Sequence, residues 1–178
     1  MKGLVIYKGK YGATKQYAMW IGQELRLPVA SADRFPVDEL LKYDYFILGS
    51  SVYSGKLEIK DWLKKNFDLL QNKKVFFFQV AASPIGQIEK RESYNKASLP
   101  ATILEKIRFY YLPGRMIMRN LSAWDRFMLK MGARLTKDPV EKEKMLTDFN
   151  HVKKENIIPL VKSVRDFTNI YEPEIAYL

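Results

Sequence analysis

Residues 8 to 14 read KGKYGAT, a turn of glycines, lysines and one hydroxyl set between an apolar run and a helical pattern. Gly9 and Gly12 admit positive φ and close backbone approach, so successive amides can point into the turn, and a helix beginning near Thr14 adds the positive end of its dipole. Thr14 offers a hydroxyl, and Lys8, Lys10 and Lys15 bring positive charge to short range. The chemistry that follows is anion recognition, with Lys8, Gly9, Lys10, Tyr11, Gly12, Ala13 and Thr14 as a candidate phosphate loop. The same glycines also suit a strand-to-helix turn that binds nothing. The spacing is neither G-x-G-x-x-G nor G-x-x-x-x-G-K-[ST], so dinucleotide and nucleoside-triphosphate sites lack their motifs.

A second stretch, GSSVYSGKLEI from 49 to 59, puts small, polar and aromatic residues together. Its candidates are Ser51, Val52, Tyr53, Ser54, Gly55 and Lys56. Hydroxyls and amides of Ser51, Ser54 and Gly55 suit the edge of a flat ring, and Tyr53 suits its face; Tyr53 reads equally well as a half-buried loop aromatic. A third stretch, AASP, contributes Ala82, Ser83 and Pro84. A phosphate loop beside two ring loops is an arrangement for FMN.

These loops need elements to hold them on one edge. KGLVIY (2 to 7) is an apolar run followed by a helical pattern over 14 to 26, with Tyr17, Trp20, Ile21 and Leu25 on one face. Pro28 breaks the chain, VASA is a short second strand, and PVDELLKY (36 to 43) reads as a second helix entered through Pro36 and Asp38. YDYFILGSSVY (43 to 53) is a third strand, 58 to 70 a helix with Ile59, Trp62, Leu63, Phe67 and Leu70 buried, and KKVFFFQVAAS (73 to 83) a fourth strand. Strands without alternation are buried on both faces, which means a parallel sheet with helices on each side, the doubly wound α/β class. A polar helix, a fifth strand over 107 to 112 and a last helix over 152 to 169, with Pro159 as a kink or a late start, complete the order. The tail YEPEIAYL reads as frayed.

Composition narrows the chemistry. The chain has 178 residues, enough for one domain that buries about 70% of its unfolded surface. Cysteine is absent, which excludes disulfides, thiolate nucleophiles and iron–sulfur or zinc–thiolate sites. His151 is the only histidine and lies in the polar stretch DFNHVKKEN, so neither a catalytic triad nor a His-rich metal site can be built. No side chain stands out as a catalytic acid or base, and demanding chemistry falls to a bound cofactor. The apolar runs are shorter than the roughly 18 residues of a membrane span, and LVIY is too short for a signal peptide, so the expected location is the cytoplasm.

Between Pro113 and His151 lie far more residues than the about 2–6 of a usual connection, so 114 to 150 is an insertion within a single domain spanning 1 to 178. Its first part is basic: from Arg115 to Lys137, the residues Arg115, Arg119, Arg126, Lys130, Arg134 and Lys137 face one acid, Asp125, in a chain of net charge +10. Ser122 and Asp125 form a capping pair. Trp124, Phe127, Met128, Met131 and Leu135 share one helical face, with Arg126, Lys130 and Arg134 on another. That pattern suits a peripheral membrane contact through Trp124, Arg126, Lys130 and Arg134, a contact between copies of the chain, a lid over a porphyrin carrying carboxylates, or a helix packed on its own domain. Nucleic acid is disfavoured because no recognition motif accompanies the charge.

YKGKYGATKQYAMWIGQEL resembles the flavodoxin phosphate loop and first helix, and GSSVYSGKLEIKDWLKKN resembles the ring loop and third helix of that superfamily. GRMIMRNLSAWDRFMLKMGAR is similar to the insertion of flavodoxin-like, quinone-linked protoporphyrinogen dehydrogenases of haem biosynthesis. The resemblance implies five parallel strands in the order 2-1-3-4-5, for which flavodoxin itself is a type example, with an insertion before the last helix. It also implies one non-covalent FMN held at residues 8 to 14, 51 to 56 and 82 to 84, and electron or hydride transfer through it. The implied partners are a quinone, a porphyrinogen or a redox protein. Lys8 and Gly9 stand where the family usually has hydroxyls, and electron-carrier flavodoxins are typically acidic. Three readings follow: an FMN oxidoreductase acting on protoporphyrinogen, a flavodoxin-like electron carrier or docking module, and a cofactor-free interaction protein.

Overall fold

The strands form because each long apolar run can be covered on both faces. In the computed structural model, which describes residues 1–82 and 86–169, the strands β1 (Gly3–Lys8), β2 (Val29–Ser31), β3 (Tyr45–Tyr53), β4 (Lys74–Ala81) and β5 (Ile107–Pro113) are parallel, in the order β2-β1-β3-β4-β5. The helices are α1 (Ala13–Leu25), α2 (Lys60–Leu70), α3 (Ile88–Ser98), α4 (Ala101–Leu104), α5 (Ala123–Leu135), α6 (Pro139–Leu146) and α7 (Ile158–Thr168). Alternate residues of β3 and β4 feed two cores. Phe46, Leu48, Val75 and Phe77 pack with Leu63, Leu70 and Leu99 on one face, while Tyr45, Ile47, Phe76 and Phe78 pack with Tyr17, Ile21, Leu160 and Val164 on the other. Each buried phenylalanine contributes about 1.5–3 kcal/mol, so the FFF run at 76 to 78 fixes the centre of the sheet.

Two local expectations change, and a third, left between two alternatives, resolves. PVDELLKY forms a 3-10 helix, Val37–Lys42, because so short a segment buries only Leu40 and closes with an i to i+3 bond, Tyr43 N–H to the Leu40 carbonyl. α2 starts at Lys60, since Leu57 pairs with Val52 and the Glu58 amide donates to the Ser51 carbonyl. Pro159 marks a late helix start, behind a 3-10 turn at Lys154–Ile157. The tail 171 to 178 lies outside the described residues.

The basic segment leaves and rejoins at one place. Arg115–Met116 pairs antiparallel with Phe149–Asn150, and the His151 amide donates to the Gly114 carbonyl at 3.1 Å. Between them a 3-10 turn at Met118–Asn120 leads into α5 and α6. Ser122 caps α5, its hydroxyl accepting from the Asp125 amide at 3.1 Å, but the Asp125 carboxylate points elsewhere, so the capping pair is one-sided. Nor does the apolar face of α5 pack on its own domain: Trp124, Phe127, Met128, Met131 and Leu135 are exposed, and Asp125 and Ala133 are buried instead. No helix among the described residues is long and apolar enough to cross a membrane.

Candidate functional site

The carboxyl ends of β1, β3, β4 and β5 open onto a cavity of about 410 Å³, within the range of small-molecule sites, about 300–1,000 Å³. Below it lies the first loop. Gly12 has φ +82° and caps α1 without a side-chain bond, and no acid occupies the first turn, so the helix presents free amides and an uncompensated positive end. A Cβ on Gly9 would stand 2.6 Å from Thr14 Oγ1 and 3.2 Å from Ser51 Oγ, so glycine there lets the loop close over the Thr14 side chain. Thr14 is 1% exposed, and its hydroxyl oxygen has no hydrogen-bond partner among the described residues. A buried hydroxyl left this way costs about 1–3 kcal/mol unless something supplies the bond.

The walls carry most of the expected residues. Lys10, Tyr11, Ala13, Thr14, Ser51, Val52, Tyr53, Ser54 and Ala82 line the cavity, while Gly9 and Gly12 shape the loop behind it. Lys8 does not join them: it ends β1 in register with Ser50, and its ammonium pairs with Asp33 at 2.6 Å. Lys15 is exposed on α1. The second stretch is a tight hairpin, with Tyr53 paired to Lys56 and both central residues left-handed, Ser54 at φ 47° and Gly55 at φ 75°, as a two-residue type I′ turn requires. That leaves Gly55 and the exposed Lys56 off the cavity wall. The Ser51 hydroxyl donates to the Glu58 carboxylate. Ser83 and Pro84 lie outside the described residues.

The insertion supplies the roof. Leu121, Trp124, Met128 and Leu129 line the cavity above the strands' edge. Asp125, 7% exposed, reaches down and accepts hydrogen bonds from Lys10 Nζ at 2.8 Å, from Tyr53 OH and from Tyr11 OH. Lys10 Nζ also stands 4.1 Å from the centre of the Tyr53 ring, covering one face of it. The Asp125 carboxylate, and then the Tyr53 hydroxyl, raise the Lys10 pKa, so the ammonium stays charged. Arg115 lies over the first loop. Its Nη1 donates to Gln16 Oε1 at 2.9 Å and its Nη2 stands 3.1 Å from where a Gly12 Cβ would be. Gly114 has to be small, since a Cβ would meet the Ala81 carbonyl oxygen at 2.9 Å.

Arg115, Asp125 and the apolar roof residues are among the members absent from the sequence candidates, as are Val80, Ala81, Gly114 and Met116. Arg115 follows the carboxyl end of β5, the edge that the three loops share, and Asp125 is the lone acid between Arg115 and Lys137; those are the available signals. The arrangement therefore sets the open end of α1 beside Lys10 and Arg115, with an apolar enclosure beneath α5. Among the described residues, no group of three or more His, Asp or Glu is placed to hold a metal.

Among curated proteins, none matches the chain. Similar solved structures include a flavodoxin from the domain Archaea, with 14% identity over 93% of this chain and 99% of that one and a TM-score of 0.48. Oxidised Flavodoxin 2 from Bacillus cereus shares 19% identity over 82% and 92%, TM-score 0.48. A flavoprotein in complex with FMN from Lactobacillus acidophilus shares 17% over 63% and 91%, TM-score 0.44. The family model of the Flavodoxin domain matches residues 4–143, most of the chain, and with the parallel sheet in the order β2-β1-β3-β4-β5 the chain belongs to the Flavodoxin domain family.

Proposed function

We propose that this chain is a cytoplasmic FMN-dependent oxidoreductase. The observation that carries the reading is the Thr14 hydroxyl, buried and without a partner beneath Gly9 and Gly12 at the open end of α1. A phosphate monoester would take that hydroxyl and the first-turn amides, with Lys10 and Arg115 supplying charge where the family's usual hydroxyls are replaced by Lys8 and Gly9. The ring would lie between Tyr53 and Ala82 and the apolar roof of Trp124 and Met128. Bound FMN supplies two-electron transfer chemistry; the chain's part is to bind, orient and keep water out.

The finer reading is oxidation of protoporphyrinogen with a quinone as acceptor. It is supported by the similarity of residues 114 to 135 to the insertion of protoporphyrinogen dehydrogenases, and by a cavity that sets an apolar roof beside the cations Lys10 and Arg115, as a flat macrocycle bearing carboxylates needs. The second reading, an electron carrier or docking module, is favoured by the exposed basic side of α5.

The experiment is a fluorescence titration of flavin-free protein with FMN and with riboflavin, followed by turnover of protoporphyrinogen with a soluble quinone. Saturable binding at least tenfold tighter for FMN, lost selectively in Arg115→Ala, is expected. No binding of either flavin favours the cofactor-free alternative, and FMN binding without turnover favours the carrier.

A further inference from the structure

α5 is built of four i, i+4 rows, and each faces something different. Asp125, Leu129 and Ala133 turn inward. Arg126, Lys130 and Arg134 form an exposed cationic row beside them. Phe127, Met131 and Leu135 form an exposed apolar row, 52% and 78% open at Phe127 and Leu135, and Trp124 and Met128 continue it to the rim of the cavity, with Trp124 64% open. The Trp124 and Phe127 rings lie side by side, 5.8 Å between centres. Val140 and Leu146 of the neighbouring α6 are exposed as well.

We infer that this face docks on an anionic lipid surface. Charge complementarity selects that occupant: the only carboxylate of α5 is turned inward and satisfied by Lys10, Tyr11 and Tyr53, so the exposed side of the helix is cationic and apolar without acids. An interfacial helix needs this division, with aromatic and aliphatic residues in the acyl boundary and Lys or Arg at the headgroups. A second copy fits worse, because a two-fold contact would set like-charged rows against each other. Trp124 and Met128 belong both to the ridge and to the cavity wall, so docking turns the cavity mouth toward the bilayer. The docking stands on α5 alone and does not depend on the cofactor reading.

The test is co-sedimentation of the full chain, with and without FMN, with vesicles of equal parts phosphatidylglycerol and phosphatidylcholine, against phosphatidylcholine alone. Binding only to the anionic vesicles is expected whether or not FMN is present, weakened about fivefold by each of Arg126→Gln, Lys130→Gln and Arg134→Gln and abolished in Phe127→Glu/Leu135→Glu. Equal binding to both vesicle types, or unchanged binding in the charge variants, overturns the inference. So does a vesicle-free dimer that Phe127→Glu dissociates, which makes the face a contact between copies. If the glutamate variant fails to fold, the three charge variants still decide.

Discussion

The carboxylate of Asp125 accepts a hydrogen bond from the hydroxyl of Tyr53, 72 positions earlier in the chain, at 2.5 Å. Lys10 and Tyr11 donate to the same carboxylate. A hairpin on β3, the loop after β1 and a helix of the insertion therefore meet at one group, and the roof of the cavity is fastened to its floor.

Hydrogen bonds to a charged group contribute about 1.5–3 kcal/mol. A double-mutant cycle of Tyr53→Phe and Asp125→Asn, read by urea unfolding, should give a coupling energy of that order. Because the Asp125 and Tyr53 bonds raise the Lys10 pKa, the ammonium's contribution is complete below the unfolded lysine value, about 10.4, and is lost only as the pH rises through the higher folded value. The coupling should therefore be unchanged between pH 6 and 8 (~neutral range). Additive single effects would mean that the roof is held by other contacts.

Thr14→Ala should separate binding from folding. Removing a buried hydroxyl that lacks a partner leaves the flavin-free protein as stable as before or more so by about 1 kcal/mol, while FMN binding weakens tenfold or more and riboflavin binding does not. Equal weakening of both flavins would remove Thr14 from the phosphate site.

Gly12 and Gly55 make an internal comparison. Both have positive φ, but nothing lies within 4 Å of a Cβ on Gly55, whereas one on Gly12 meets Arg115 Nη2 at 3.1 Å. Gly55→Ala should cost about 1 kcal/mol in thermal unfolding, the left-handed strain alone. Gly12→Val should cost more and also weaken FMN, because the loop and Arg115 both shift. Intact FMN affinity in Gly12→Val would place the phosphate elsewhere.

Glu24 ties α1 to α7 and the 3-10 turn before it, pairing with Lys154 at 2.5 Å and with Arg165 at 3.7 Å. The Lys154 bond lowers the Glu24 pKa. A lowered folded pKa gives stability that is present above the unfolded value, about 4.3, and lost as the pH falls through the folded one. The Tm difference between the native chain and Glu24→Gln should accordingly be present at neutral pH and vanish in acid; a difference that persists in acid would assign it to packing.

The sheet was legible because its central strands β3 and β4 are long, apolar and unalternating, and the FFF run at 76 to 78 can only be central. The phosphate loop was legible from two glycines before a helix. Lys8 was misplaced because its ammonium is drawn to Asp33, a partner brought near by β2 and invisible in a linear reading. Which face of α5 turns inward is not legible, for a related reason. Periodicity finds an apolar stripe but not which stripe turns inward, and here a single carboxylate with three donors turns the helix so that its apolar side looks outward. For Arg115 the one signal is its position after β5; its place follows from the close approach of Gly114 to the Ala81 backbone.

The hairpin between Arg115–Met116 and Phe149–Asn150 brings the two ends of the insertion side by side at the end of β5. Everything between is a closed excursion whose length the sheet does not feel, since loop-closure entropy grows only slowly with length. Such a joint behaves as a socket: the roof can be lengthened, shortened or exchanged while β5 and α7 keep their register, so a common flavodoxin frame can acquire a new ceiling, and with it a new clientele, by changes confined to one cassette.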